Sequence, residues 1–222
     1  MKNLIALFSL TMAFAFSAQA APVKRLFQEV KLPNQNVLQR QTISAAAVAA
    51  TNAIKTTYAG PTAATALTLT SFTAQPGVPR NLTITPTGTT TDLEACVIVV
   101  TGTNIFNAAI SENFTFSAND SAAQTGNKAF KTVSSVTFPA DCESGAFGTT
   151  WIIGTGSKLG LNRCLANAGD VIHVNFDGAT ETIGAVGSSA SAVESNTYTP
   201  TGTLNAAKHV IVDYIQNFVC FP

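Results

Sequence analysis

The stretch WIIGTGSKLG, residues 151–160, has the composition of a phosphate-binding loop, because a short β-branched run leads into glycines beside a lysine. A Walker loop needs G-x-x-x-x-G-K-[ST], in which the lysine directly follows the last glycine. Here Lys158 stands between Gly156 and Gly160, and the G-x-G-x-x-x-G spacing also fails as a dinucleotide fingerprint. We therefore predict a structural turn at a sheet corner, in which Gly154, Gly156 and Gly160 supply positive φ angles.

The other residues that could do chemistry form no recognised pattern. His173 and His209 lack the closely spaced histidine or glutamate partner that a zinc site needs, and no G-x-S-x-G nucleophile motif occurs. Paired carboxylates can hydrolyse glycosides, but here the pairs fall in turn segments, where solvation is the ordinary role of an acidic residue. These pairs are Asp92 with Glu94 and Asp141 with Glu143. The sequence predicts no catalytic residue, no cofactor and no metal ligand.

Four cysteines are candidates for disulfide bonds. They are Cys96, Cys142, Cys164 and Cys220. Their wide spacing, without a C-x-x-C pair, is wrong for a zinc ribbon or a thioredoxin-like motif. In an oxidising compartment they could form two disulfides in any of three pairings, whereas in a cytoplasm they would be small buried apolar residues. The sequence leaves both alternatives open.

The amino-terminal part divides into a leader and an arm. Residues 1–20 have a lysine, a short apolar stretch and an Ala-Gln-Ala cleavage signature, which together predict a secretory signal peptide. The alternative is a hydrophobic arm that is buried in an assembly. Residues 21–60 are predicted as an extended arm or linker, within which the alanine-rich segment 42–54 is either a short helix or extended.

From residue 61 to residue 222 we predict one β domain. Apolar residues alternate with Thr and Ser in many short segments that end in Gly, Pro, Asn or Asp. This pattern is typical of a mainly β protein, an antiparallel β-sandwich or barrel of the Ig-like or jelly-roll-like kind, here with an extended amino-terminal arm. Residues 96–101 are apolar on both faces and predict a central strand, 187–203 predict a loop, and 208–218 favour a strand over a helix.

The charge balance excludes some partners. Lys and Arg total twelve, Asp and Glu total twelve, and charged residues make up only 11 % of the chain. A balanced, sparse charge gives no electrostatic footprint for nucleic acid or for an anionic membrane. A weakly charged surface also does little to keep molecules apart, which favours packing against other proteins.

Three stretches, 79–116, 125–139 and 151–163, resemble β-rich structural proteins from the virion gene clusters of tailed bacteriophages. The shared features, in order, are a P-R-N strand, a valine-rich strand ending in G-T-N, an acidic residue before an aromatic strand, a G-x-K-A-F-K-T-V strand and a G-x-G-x-K-L-G-L segment. The resemblance implies a non-enzymatic virion protein that binds or reinforces the capsid shell. Its implied partners are the major capsid protein or other virion proteins and its own copies in a homo-oligomer, with no nucleic acid and no small-molecule substrate.

Two features depart from this resemblance, namely the signal-like leader and the cysteines. Phage heads assemble in a reducing cytoplasm, where disulfides are rare. The alternative is therefore a bacterial β-sandwich protein for adhesion or carbohydrate binding, which would be secreted or periplasmic after cleavage following Ala20.

Overall fold

The computed structural model describes residues 37–61, 65–143 and 148–216. Strands account for 54 % of these described residues and short helices for 7 %, which confirms the predicted mainly β class. The predicted leader, the arm as far as residue 36, and Cys220 lie outside the described residues. The strands are β1 (Val37–Ser44), β2 (Ala50–Ala59), β3 (Leu67–Leu69), β4 (Arg80–Gly88), β5 (Cys96–Thr103), β6 (Ala109–Phe116), β7 (Gln124–Thr125), β8 (Thr132–Phe138), β9 (Thr149–Gly160), β10 (Val171–Phe176), β11 (Ala179–Thr180), β12 (Ala185–Gly187), β13 (Thr197–Thr199) and β14 (His209–Gln216).

The strands form three antiparallel sheets, one of which curls into a half-barrel. Sheet A has the order β1-β14-β10-β11, and sheet C has the order β3-β8-β5-β6. Sheet B has the order β12-β13-β9-β4-β7, and β2 also pairs with β9. Within the described ranges, four single-turn 3-10 helices connect strands, at Thr90–Asp92, Ala140–Cys142, Ala168–Asp170 and Val193–Ser195. In the described part of the chain, no helix is long and apolar enough to span a membrane.

Two hydrophobic cores lie between these sheets, and the long strand β9 contributes to both. Sheets B and C enclose the first core, where Trp151 and Ile153 of β9 pack with Phe116 and Phe138. Sheet A and the other end of sheet B enclose the second core, to which β9 gives Leu159. Because both cores contain side chains of β9, this one strand fixes the position of each core relative to the other.

Residues 37–59, predicted as part of an arm, are instead built into the sheets. Strand β1 pairs with β14 over eight residues, and β2 pairs with β9. Ile43 of β1 and Ile54 of β2 are buried in the second and first core respectively. The alanine-rich segment is extended where it enters β2, because pairing with β9 outweighs the helical propensity of alanine.

Strand β5 lies between β6 and β8 in sheet C, which is the central position predicted for it. Its inward side chains are buried, but Val97 on the outer face is 40 % exposed, so the second apolar face of this strand is not covered by the described residues. Strand β14 is the strand predicted near the carboxyl end. The segment predicted as a loop over 187–203 contains β13 and places Tyr198 in the second core.

Candidate functional site

The glycines of WIIGTGSKLG lie inside strand β9 and not in a turn. Among the described glycines, positive φ occurs at two, Gly88 and Gly178, and at none of the three predicted turn positions. The prediction of a turn at Gly154, Gly156 and Gly160 is therefore corrected. Glycine recurs in this strand for a different reason, which is that other groups approach the strand backbone closely.

Each of these three glycines faces a group that leaves no room for a side chain. A Cβ atom at Gly154 would lie 2.2 Å from the carbonyl oxygen of Ala50, and one at Gly160 would lie 2.7 Å from Cβ of Ala129. The pairing of β4 with β9 shifts register between Arg80 and Leu82, so that residues 156–158 of β9 bulge at this point. Bulges of this kind make space for a neighbouring side chain.

The side chain that fills the bulge is Asn81, which is fully buried. Its Nδ2 donates to the carbonyl oxygen of Gly126 over 3.0 Å, and its Oδ1 accepts from the backbone N–H of Lys158 over 2.9 Å. A Cβ at Gly156 would lie 2.4 Å from the same amide. One buried amide therefore joins β4, β9 and the segment that precedes β8.

Arg80 is the second buried polar residue of this region and is 2 % exposed. Its Nε donates to the carbonyl oxygen of Gly156 over 2.7 Å, its Nη2 donates to the same oxygen, and its Nη1 donates to the carbonyl oxygen of Ala47 over 2.8 Å. Burial lowers the pKa of Arg80. Backbone dipoles therefore solvate this guanidinium and fix the segment before β2 against β9.

Glu112 and Lys158 hold the segment around residue 127 from two sides. The Glu112 carboxylate accepts from the N–H groups of Asn127 and Lys128 over 2.6 and 3.2 Å, and burial raises its pKa in spite of these donors. Lys158 Nζ donates to the carbonyl oxygen of Gly126 over 3.3 Å and to Oδ1 of Asn127. A Cβ at Gly126 would lie 2.5 Å from the Glu112 carboxylate, so a side chain there would push this carboxylate away from the N–H groups that donate to it.

We name this cluster the polar junction, and it has five side chains. They are Arg80, Asn81, Glu112, Asn127 and Lys158. The N–H of Lys158 is held by Asn81, and the N–H of Gly160 is held by the carbonyl oxygen of Pro79. These backbone donors are occupied by protein acceptors, so the region does not form the nest of open N–H groups that cradles a phosphate. The hydrogen bonds of the polar junction connect strands that are far apart in the sequence.

A second polar network crosses the outer face of sheet A. Arg40 makes two hydrogen bonds of 2.6 and 2.8 Å to the carboxylate of Asp213, and His173 Nδ1 lies 3.2 Å from the same carboxylate. His173 Nε2 lies 3.3 Å from the hydroxyl of Thr180. The sequence predicted His173 as an isolated strand residue. It does lie on β10, but pairing of β10 with β11 and β14 supplies its partners.

This network has the hydroxyl–imidazole–carboxylate order of a hydrolase triad, but its electrostatics favour a structural role. Arg40 takes both oxygens of Asp213 and, with a smaller contribution from His173, lowers the pKa of that carboxyl. A carboxylate already neutralised by a guanidinium stabilises a developing imidazolium less well. Since Thr180 is also on an open surface, we interpret the network as a tie between strands β1, β14, β10 and β11.

The Asp213 network should give the fold a dependence on pH. A carboxyl whose pKa is lowered by folding stabilises the native state above its unfolded pKa of about 3.9, and this stabilisation is lost as the pH falls through the lower, folded value. We therefore expect Asp213→Asn to be less stable than the wild type at pH 7 and the difference to shrink below about pH 4. Urea unfolding at a series of pH values measures this, with exposed Asp141→Asn as the control. A difference that stays constant down to pH 2 would contradict the assignment.

The structure contains a disulfide between Cys96 and Cys142, which joins the start of β5 to the 3-10 helix Ala140–Cys142. Cys164 is disulfide-bonded as well, and Cys220 lies outside the described residues. The disulfide also brings the two acidic pairs of the sequence to one end of the domain, where Leu93 and Glu143 form a β-bridge. Burial raises the pKa of Glu143. Across the described ranges, no group of three or more acidic, cysteine or histidine residues is arranged to hold a metal ion.

Comparison with known proteins gives no assignment, because no family model, no curated protein and no solved structure matches this chain. The contacts of the polar junction were not visible in the sequence. Four of its five side chains come from the P-R-N, G-x-K and G-x-K-L-G stretches and Glu112 comes from β6. Arg80 and Gly156 are 76 residues apart, so no local spacing indicates their contact.

Proposed function

We propose that this chain is a non-enzymatic structural protein of a virion, which binds or reinforces a capsid shell through its sheet faces. The observation that carries the proposal is the convergence of the three phage-like stretches, 79–116, 125–139 and 151–163, in the polar junction. Their characteristic residues serve to hold strands together, which is what a shared structural module requires. A shared catalytic module would instead present reactive side chains to an open cleft.

The outer face of sheet C supports this proposal, because it suits contact with other proteins. In the described strands of this sheet, the side chains that point away from the core are Thr, Ser, Asn, Val and Ala, without a charge. Hydroxyl groups bond to each other across neighbouring strands, which satisfies part of their hydrogen-bonding capacity within the sheet. These pairs are Thr68 with Thr137 at 3.3 Å, Thr101 with Ser135 at 2.7 Å and Thr103 with Thr132 at 2.7 Å. Burying such a face costs little desolvation, whereas burying unpaired charges would cost much more.

The oxidised cysteines fit a position on the outside of a particle. Virion surfaces are among the places where disulfides persist, because they meet an oxidising medium once the particle is released. The proposed partners are accordingly the major capsid protein or other virion proteins and further copies of this chain, and the proposed location is the virion exterior.

Purified particles test the proposal. We expect the chain to co-migrate with the major capsid protein through a density gradient and to be present in stoichiometric amounts by quantitative mass spectrometry. Thr101→Lys, which places a charge at the centre of the outer face of sheet C, should reduce incorporation, while Ser191→Lys on an exposed loop should not. Particles that lack the chain, or that incorporate both variants equally well, would contradict the proposed role of this face.

The second candidate function is a secreted or periplasmic adhesion or carbohydrate-binding protein, which the disulfides favour. An exported chain should be recovered from the periplasm or medium with a mature terminus at Ala21 and with its cysteines oxidised. Intact-mass analysis of fractionated cells distinguishes the two functions. Recovery with the particles supports the first function, and recovery from the exported fraction of uninfected cells supports the second.

A further inference from the structure

The carboxyl group of Glu143 is buried at the end of the domain that holds the disulfide. Glu143 directly follows Cys142 and is only 7 % exposed. Within the described part of the chain, neither of its carboxyl oxygens has a hydrogen-bond partner. Nearly all buried polar side chains in native proteins are partnered. Two unpartnered oxygens on one buried side chain therefore indicate a role other than holding strands together.

The indole N–H of Trp151 borders the same space. Nε1 of Trp151 is also buried, and among the described residues it has no acceptor. A Cβ at Gly60 would lie 2.0 Å from Oε1 of Glu143 and 3.0 Å from Nε1 of Trp151. The carboxyl group therefore occupies room that a glycine leaves open, and it lies against the end of the first core that Trp151 fills.

The titratable groups around Glu143 do not include a partner of opposite charge. Asp92, on the 3-10 helix Thr90–Asp92, is a second acid that acts on Glu143, and the side chains of Asp141 and Glu94 are exposed. Tyr58 of β2 pairs in register with Trp151, and burial raises its pKa, so its phenol stays neutral. In the described chain, no lysine, arginine or histidine forms an ion pair with Glu143.

These surroundings suit the neutral form of the carboxyl group. Burial raises the pKa of Glu143 most, and Asp92 raises it further; the N–H of Thr149 lowers the pKa, although it does not reach hydrogen-bonding geometry. An ionised carboxylate in this position has no cation to offset its desolvation, so it gains stability only from new donors. Those donors are water and the unpartnered indole N–H of Trp151.

We propose that Glu143 is a pH-sensitive switch, in which ionisation of its carboxyl group admits water to the Trp151 end of the first core and loosens the contact with Gly60. The movement stays local, because the disulfide holds Cys142 and the carbonyl oxygen of Cys142 accepts from the N–H of Glu94 over 2.9 Å. This inference goes beyond the proposed virion role and does not depend on it.

The sign of the effect on stability is opposite to that of the Asp213 network. A carboxyl whose pKa is raised by folding stabilises the native state fully below its unfolded pKa, and this stabilisation is lost as the pH rises through the folded value. Glu143→Gln keeps the shape of the side chain but never ionises. We therefore expect this variant to unfold at a higher urea concentration than the wild type at pH 8, and the difference to shrink as the pH falls.

Tryptophan fluorescence of the folded, full-length protein tests the switch directly, because Trp151 is the only tryptophan in the chain. Between about pH 3 and pH 9 we expect the wild-type emission to move to longer wavelength as the pH rises, with a midpoint above the ordinary glutamate pKa. Glu143→Gln should lack this transition. Glu94→Gln is the matched control, since Glu94 is exposed, and it should titrate as the wild type does.

A second variant tests the switch even if Glu143→Gln does not fold. Asp92→Asn removes the acidic neighbour that raises the pKa of Glu143, so its transition should have a lower midpoint than that of the wild type. A wild type without a transition, or an unchanged transition in Glu143→Gln, would overturn the proposal. An unchanged midpoint in Asp92→Asn would overturn it as well, as would a Glu143→Gln protein that is no more stable than the wild type at pH 8.

Discussion

Gly154→Ala is expected to lower the melting temperature by about 6–12 °C, which corresponds to about 3 kcal/mol for a domain of this size. The added Cβ would lie 2.2 Å from the carbonyl oxygen of Ala50 and 2.2 Å from the carbonyl carbon of Thr51. Both are backbone atoms, so no rotation of a side chain can relieve the clash. Either β2 moves away from β9 or β9 distorts, and each response disturbs the first core through Trp151 and Ile153.

The control for this prediction is Gly169→Ala. A Cβ at Gly169 would meet no atom within 4 Å, and the φ angle of Gly169 is not in the left-handed region. The same chemical change should therefore shift stability by no more than about 0.5 kcal/mol. Thermal unfolding followed by circular dichroism compares the two variants. If Gly154→Ala melted within 1–2 °C of Gly169→Ala, the close approach of β2 to β9 would not be a feature of the folded protein.

The close approach of β2 to Gly154 also explains why the turn predicted within residues 151–160 was wrong. A glycine that supplies positive φ and a glycine that admits a neighbouring backbone are the same letter, and only the position of the partner distinguishes them. The partner of Gly154 is β2, about a hundred residues earlier in the chain, and no local sequence pattern indicates that the two strands pair. The fold class was predictable because alternation and turn residues are local properties, whereas the reason for each strand glycine was not.

Segment 187–203 shows that a buried segment can also be missed when it is predicted from sequence. Its small polar residues predict a loop, yet Asn196 is fully buried. The Asn196 amide accepts from the N–H groups of Leu165 and Ser189 and donates to the carbonyl oxygens of Ser189 and Ala192. This segment is buried through one satisfied amide and single apolar residues such as Tyr198, and not through a hydrophobic periodicity, so the sequence pattern did not indicate its burial.

The contacts of the polar junction and of the Asp213 network could not be predicted from the sequence for a related reason. Arg40 and Asp213 are 173 residues apart, and their contact exists because β1 and β14 pair in one particular register. The sequence identifies His173, Lys158 and the acidic residues as candidates, but it does not show their partners, because only the sheet topology brings these together.

Removal of the Cys96–Cys142 disulfide is expected to have the largest effect on stability. The bond closes a loop with a sequence separation of 46 residues, and the chain-entropy model gives about 4 kcal/mol for a loop of that length. Cys96→Ala/Cys142→Ala should therefore unfold about 8–16 °C below the wild type. Both cysteines are buried in the first core, so the alanine pair also leaves a small packing defect that adds to the loss.

Reductant separates the entropic effect of this disulfide from the packing defect. Because dithiothreitol also breaks the bond of Cys164, the two proteins are compared after both have been reduced. The reduced wild type keeps both sulfur atoms in the core, so its stability should exceed that of the reduced double variant only by the packing defect. The double variant should lose less on reduction, because only the bond of Cys164 remains to be broken in it. Equal stability of the oxidised wild type and the double variant would show that the bond contributes nothing to the fold. If the effect is as large as expected, a chain that assembles in a reducing cytoplasm would have the lower stability of the reduced form until release. Oxidation would then strengthen it on the particle exterior, where the proposed function requires it to last.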